Sequence, residues 1–494
     1  MKSAMHNIFS RAPFLRISVF GFVILILSGC AAVGPDYSEP VIDTPDAWTQ
    51  NVVQQLQTAP QSSLQSWWTV FNDPVLDDLI ERSRAENLDL KIAVSRVRQS
   101  RAMLAMTSGE KLPTLSSSGT VGISQMSDDG PLEQVAPAGG FSSQEFYEIG
   151  VDSAWEIDVF GGIRRSIEAA GAGYQASIED YRDVLATMYA EVALVYVDIR
   201  ALQQRIFYMQ ENAGFQRNSL DLAQDRFDSG VSSRLDVAQA QASLSSTLAS
   251  IPSLEISLNH ALNRLAVLLG QDAGSLQAEF SDTRDLPIPA QSLGIGVPAN
   301  VLRQRPDIRQ AERLLAAQTA QIGVATADLY PRFGLGGFFG LQSTSLSNLL
   351  DSSSITWGLN SPIQWDIFNG GRVRSNIQMQ DEIAQQRLLQ YEQKVLSAVE
   401  EVENAIVAYN LGKLVQQHLE DSTTATLQAE ELVLVQYNTG LTDFNNVLVT
   451  QRDLSSQQDR LVVARAQILV DLIALYKALG GGWDVDQPLE TSGD

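Results

Sequence analysis

The stretch "EFYEIGVDSAWEIDVF" (145–160) decides how this chain is read. Its odd positions, Tyr147, Ile149, Val151, Ser153, Trp155, Ile157 and Val159, are mostly apolar. Its even positions include Glu148, Gly150, Asp152, Glu156 and Asp158. A period of two with one apolar face predicts a half-buried strand. "SITWGLNSPIQWDIF" (354–368) repeats the pattern, with Ile355, Trp357, Leu359, Ile363, Trp365 and Ile367 set against Thr356, Gly358, Asn360, Gln364 and Asp366. Weaker alternations precede each, at 113–125 and 332–342. Runs of about 11 to 15 residues exceed the usual strand of about 5–6 and suit a tilted bilayer span.

Four strands cannot close a barrel, because transmembrane barrels begin at about 8 strands. An open sheet in lipid would leave backbone groups unpaired at its edges. The strands are therefore expected to be shared among symmetric copies of the chain. In the even register Glu148, Asp152, Glu156, Asp158 and Asp366 are expected to face the barrel lumen or its rim.

Outward from the strands the chain is helical and written twice. "RFDSGVSSRLDVAQAQ" (226–241) matches "QYNTGLTDFNNVLVTQ" (436–451) in Phe227/Tyr437, Gly230/Gly440, Val237/Val447 and Gln241/Gln451. "DLKIA" (89–93) matches "DIRQA" (307–311), "LPTL" (112–115) matches "YPRF" (330–333), and "DVFGGIR" (158–164) matches "DIFNGGR" (366–372). Four matches in one order imply a tandem duplication, with repeats at 75–271 and 297–482 joined by a linker at 272–296. In each repeat a helix (75–110; 299–328) leads into the strands. A very long helix follows (163–228; 372–437), then the Gly-centred break and another helix (234–269; 445–479). Ile178, Tyr181, Leu185, Met188, Val192, Val195, Ile199, Leu202, Ile206 and Met209 alternate steps of 3 and 4, a heptad seam. The second seam is looser: Leu388, Tyr391, Val395, Ala398, Val402, Ala405 and Tyr409. Pro252 is expected to kink its helix. At 1.5 Å per residue the long helices would reach about 100 Å.

The N-terminus reads as an export signal at 1–29. Lys2, Arg11 and Arg16 precede the short apolar run "ISVFGFVILIL" (17–27) and then "LSGC" (27–30). This resembles a bacterial lipobox with Cys30, the one Cys of the chain, as its lipidated residue. Residues 30–74 carry Pro35, Pro40, Pro45 and Pro60 and read as an extended anchored segment. A net charge of −24 argues against nucleic-acid binding. No later stretch reaches 18 consecutive apolar residues, so a membrane span would be β. The three His do not cluster, and no metal spacing, phosphate loop or nucleophile elbow occurs. No catalytic, cofactor-binding or metal site is expected.

Taken together, "GCAAVGPDY" (29–37), "WEIDVFGGIR" (155–164), "DIFNGGR" (366–372), the two Gly breaks and "LYKALGGGW" (475–483) resemble the TolC-like outer-membrane efflux factors, in their NodT/OprM-like lipoprotein branch. The resemblance implies a homotrimer with a twelve-stranded β-barrel in the outer membrane and a periplasmic α-helical coiled-coil barrel. It implies a passive exit duct for small molecules, with a periplasmic adaptor and an inner-membrane transporter as partners. Phe227, Gly230, Val231, Tyr437, Gly440 and Leu441 would form the periplasmic tips that meet the adaptor. In relatives a Leu and an Asp after the second Gly narrow the tip. Asn445 and Val449 stand there, leaving Asp443 as a further gate candidate. An exit duct for type I protein secretion and a structural coiled-coil lipoprotein are the alternatives.

Overall fold

The computed structural model describes residues 32–41, 48, 62–127, 142–289 and 302–484. Cys30, the signal at 1–29, most of 42–61, part of the linker and the tail from 485 lie outside them. The chain divides into two compact units. One comprises Met1–Pro40, Gln99–Gln175 and Glu312–Leu389; the other comprises Val41–Arg98, Ala176–Ala311 and Gln390–Asp494.

The first unit holds the sheet. Strands β1 (Thr114–Ser124), β2 (Gln144–Ile157), β3 (Arg332–Ser343) and β4 (Ile355–Asn360) run antiparallel in the order β1-β2-β3-β4, and a short β5 (Ile363–Gln364) also pairs with β3. The register keeps odd residues opposite odd: Ser117, Val151, Phe339 and Trp357 form one row, and Gly119, Ile149, Leu341 and Ile355 another. One face of the whole sheet is thereby apolar, and it is open, with Val121 77% and Trp357 74% exposed. The expected single strand over 354–368 is divided. Pro362 has no N–H to give the ladder, and its carbonyl instead accepts from the Gly334 N–H at 2.8 Å.

Chain segments far apart in sequence meet in this unit. Arg165, 4% exposed at its side chain, donates to the carbonyls of Val33 and Gly34 and to the carboxylates of Asp36 and Glu168. Gly34, at φ +89°, lies against the backbone of Gly323. Tyr37 donates to Glu312. The Gly, Asp and Tyr of "GPDY" are thus each accounted for by a contact.

In the second unit the core is helical. α1 (Pro74–Glu86) and α2 (Leu88–Gly109) replace the single helix expected over 75–110. The break is at Asn87, whose Oδ1 accepts from the Leu90 N–H and whose Nδ2 donates to the Leu268 carbonyl. α3 (Gly162–Asp228), α4 (Arg234–Leu268), α5 (Pro306–Ala327), α6 (Arg372–Asn438) and α7 (Phe444–Ala478) follow. α2, α3, α5 and α6 contribute residues to both units. α4 runs unbroken past Pro252. Along the α6 seam Tyr391, Val395, Ala398, Val402, Ala405 and Tyr409 are buried and Leu388 is half-buried, while Ile406, off the seam, is buried too and Leu396 is exposed. The middle of α3 is buried more broadly than its seam, since Tyr189, Ala193, Tyr196, Val197 and Arg200 are buried beside Leu185, Met188 and Val192. The added burial comes from Trp67, Phe71, Leu76, Leu265 and Tyr476, which share one apolar cluster with α3. Trp483 of "LGGGW" sits under the guanidinium groups of Arg182 and Arg309, whose charges meet at Glu179.

Candidate functional site: the paired helix tips and the polar sheet face

Both Gly breaks are the same turn. The N–H of Gly230 donates to the Phe227 carbonyl and that of Val231 to the Arg226 carbonyl, both at 2.9 Å. Gly440 to Tyr437 and Leu441 to Gln436 repeat this at 3.1 and 2.8 Å. These are the paired bonds of a helix ending in a left-handed residue, and Gly230 (φ +73°) and Gly440 (φ +76°) adopt that conformation without a Cβ penalty. The next helix is then capped by a side chain: Ser233 accepts from the Leu235 N–H, and Asp443 from the Asn446 N–H. The gate candidate Asp443 therefore has a local bond to its own helix.

The two turns differ in what they bury. Tyr437 is 3% exposed and packs at 5.1 Å against Phe444, in a cluster with Ala223, Ala240, Val447 and Leu448. Phe227, its counterpart in the first repeat, is 37% exposed. Val231 and Leu441 are exposed at the turn ends, and Asn445 and Val449 are exposed on α7.

Arg226 joins the turns. Its Nη1 donates to the carbonyls of Tyr437 and Asn438, and its guanidinium lies over the Tyr437 ring. Further along, the buried Gln451 amide donates to Ser219 at 2.8 Å and to the buried Glu430 carboxyl at 3.3 Å. Burial pushes the Glu430 carboxyl above its ordinary value; Gln451 lowers it and Glu431 raises it further. Sequence reading missed Arg226 and Glu430. The available signal was a mismatch between the repeats, with Arg226 standing where the second copy has Gln436.

The acidic residues expected on a lumen divide into two groups. Glu148, Asp152 and Glu156 share the even face of β2, opposite Gln342, Phe338 and Gly334 of β3. Asp158 lies beyond the strand and accepts from the Ile163 and Arg164 N–H groups and from the Arg164 side chain, starting α3. Asp366, its repeat counterpart, is exposed, and Asn369 accepts from the N–H groups of Gly371 and Arg372 at the start of α6. Among the described residues no helix is long and apolar enough to cross a membrane, and no group of three or more His, Cys, Asp or Glu is placed to hold a metal ion.

A sheet with an open apolar face and long seamed helices ending in paired turns define the class of outer-membrane exit channels. The chain belongs to the outer membrane efflux protein family, whose profile matches residues 79–271 and 297–481. It is 30% identical over 463 residues to nodulation protein T of Rhizobium leguminosarum bv. trifolii, covering 94% of this chain and 97% of that one. It is 30% identical over 475 residues to the solvent efflux pump outer membrane protein SrpC of Pseudomonas putida, covering 94% and 98%. Among solved structures, the outer-membrane channel OprN is similar with a TM-score of 0.85 at 35% identity, covering 92% of this chain and 100% of that one. The fold and the function class, an outer-membrane efflux channel component, follow from that membership.

Proposed function

We infer that three copies of this chain form a passive duct, anchored by lipid at Cys30, that receives small molecules from an inner-membrane transporter through a periplasmic adaptor. The observation that carries the reading is the apolar odd face of the sheet. Leu115, Val121, Phe339, Trp357 and Leu359 lie open on it, and a continuous apolar patch of this kind requires a cover. Lipid is the cover consistent with long strands and an export signal. Among the described residues the outer edges of β1 and β4 have no strand partner, which supports pairing of β4 with β1 of the next copy. The exposed Phe227, Val231 and Leu441 at the turns supply apolar area for an adaptor.

Reconstitution of the purified protein in planar bilayers is expected to give discrete conductance steps, and crosslinking to give a trimer. A protein that binds vesicles without conducting would be a structural lipoprotein instead. Labelled palmitate on the wild type, lost in Cys30→Ser, is expected for the anchor; an unlabelled wild type would reject lipidation.

A further inference from the structure

The polar face of the sheet carries a feature that neither an exit duct nor strand pairing requires. On β3 the even residues run Gly334, Gly336, Phe338, Gly340. Phe338 is large and apolar on a face whose other strand residues, Phe146 of β2 apart, are small or polar. Its ring has a seat: a Cβ on Gly150 would stand 2.5 Å from its Cε2, and one on Gly340 2.8 Å from its Cζ. The ring therefore lies across bare backbone of two strands. Asn360 lies over Gly336 in the same way.

Phe338, Gly334 and Gly336 line a cleft of about 930 Å³, with Asp152 and Asn360 among its other walls. Asp152 is the register partner of Phe338 on β2, and Ser118 Oγ donates to its Oδ2 at 3.1 Å. An aromatic ring seated on bare backbone, in a cleft that also holds a carboxylate, is an arrangement that attracts an organic cation, the ring through its quadrupole and the carboxylate through its charge.

The geometry points to a station for aromatic organic cations at Phe338 and Asp152, repeated in each copy around the lumen. It deepens the efflux reading and rests on it for the direction of transport, but binding at the site does not require the duct to conduct. Phe338 sets the preference for flat, ring-bearing cargo, and Asp152 excludes anions of the same shape.

Saturation-transfer NMR on the detergent-solubilised full-length protein tests this with phenyltrimethylammonium, cyclohexyltrimethylammonium and benzenesulfonate. Phenyltrimethylammonium is expected to bind about fivefold to tenfold more tightly than its cyclohexyl counterpart, because its own ring also stacks on Phe338 while both share the cationic head, and benzenesulfonate not to bind. Phe338→Leu keeps an apolar side chain and removes the ring, so it should erase the difference between the two cations; Phe338→Tyr should keep it. Asp152→Asn should weaken both cations together. Equal binding of the two cations to the wild type, or a preference that survives Phe338→Leu, would overturn the proposal. If the leucine variant does not assemble, Phe338→Met carries the same comparison. Failure of the wild type to conduct in bilayers would count against the duct and not against this site.

Discussion

Arg226 donates to the main-chain carbonyl of Tyr437 at 2.9 Å while its guanidinium carbon stands 4.6 Å from the centre of the same residue's ring. The end of one helix hairpin is thereby fastened to the end of the other by a residue that only the first repeat possesses. Arg226→Ala removes two hydrogen bonds and a ring contact, a loss of about 1–3 kcal/mol in local stability. Amide exchange over 433–445 is expected to accelerate, with Arg226→Lys recovering only part of the protection because an ammonium lacks the fork. Unchanged exchange would show that the Tyr437 cluster holds the turn without Arg226.

Glu430 makes this end of the helical unit sensitive to pH. Its carboxyl is pushed up from an ordinary value of 4.5, first by burial. The fold therefore favours the protonated form. The stabilisation from this group is complete below the unfolded value and is lost as pH rises through the higher folded one. Glu430→Gln should remove that part of the decline. In denaturation series from about pH 4 to about pH 8, the variant should gain on the wild type as pH rises. Parallel curves would show that Glu430 ionises in the fold as it does unfolded.

The two repeats place an indole in the same way. Trp155 Nε1 donates to the Lys111 carbonyl and Trp365 Nε1 to the Leu329 carbonyl, each at 3.0 Å. Both bonds reach the segment that leads from a helix into a strand, where an indole with an apolar body and a polar tip suits a membrane interface. Proteins keeping only Trp155 or only Trp365 should be quenched most by lipids brominated near the headgroup. One keeping only Trp357 should be quenched most by bromine deeper in the chain. Equal depth for all three would contradict the membrane placement of the odd face.

Gly34 is held where no larger residue fits. Its φ of +89° and its contact with the Gly323 backbone both oppose a side chain, so Gly34→Ala should cost about 1–3 kcal/mol and free the segment clamped by Arg165. Limited proteolysis is expected to cut near residues 32–37 in the variant and not in the wild type. Equal resistance would mean that the Asp36 and Tyr37 contacts suffice.

Much of the fold was legible because it is written in local periods. The α3 range of 162–228 lies within a residue of the expected 163–228, since 3–4 spacing and a Gly stop are neighbouring-residue signals. Where a local signal was overlooked, the boundary shifted: Pro362 splits the last strand, and Asn87 splits the first helix. The candidate site was less legible. Duplication made Phe227 and Tyr437 look equivalent, as it did Asp158 and Asp366, yet in each pair the structure gives the two residues different surroundings.

By itself the sequence determined the order of the elements, the parity that makes one sheet face apolar, and the two Gly turns. Each depends on residues within a few positions of one another. Only the tertiary structure decided that Tyr437 is buried and Phe227 is not, that Arg226 ties the two turns together, and that Phe338 lies on Gly150 and Gly340. The first two depend on side chains about two hundred positions apart, and the third joins strands from different repeats. Whether such groups meet is set by packing and register across the fold, which no local period encodes.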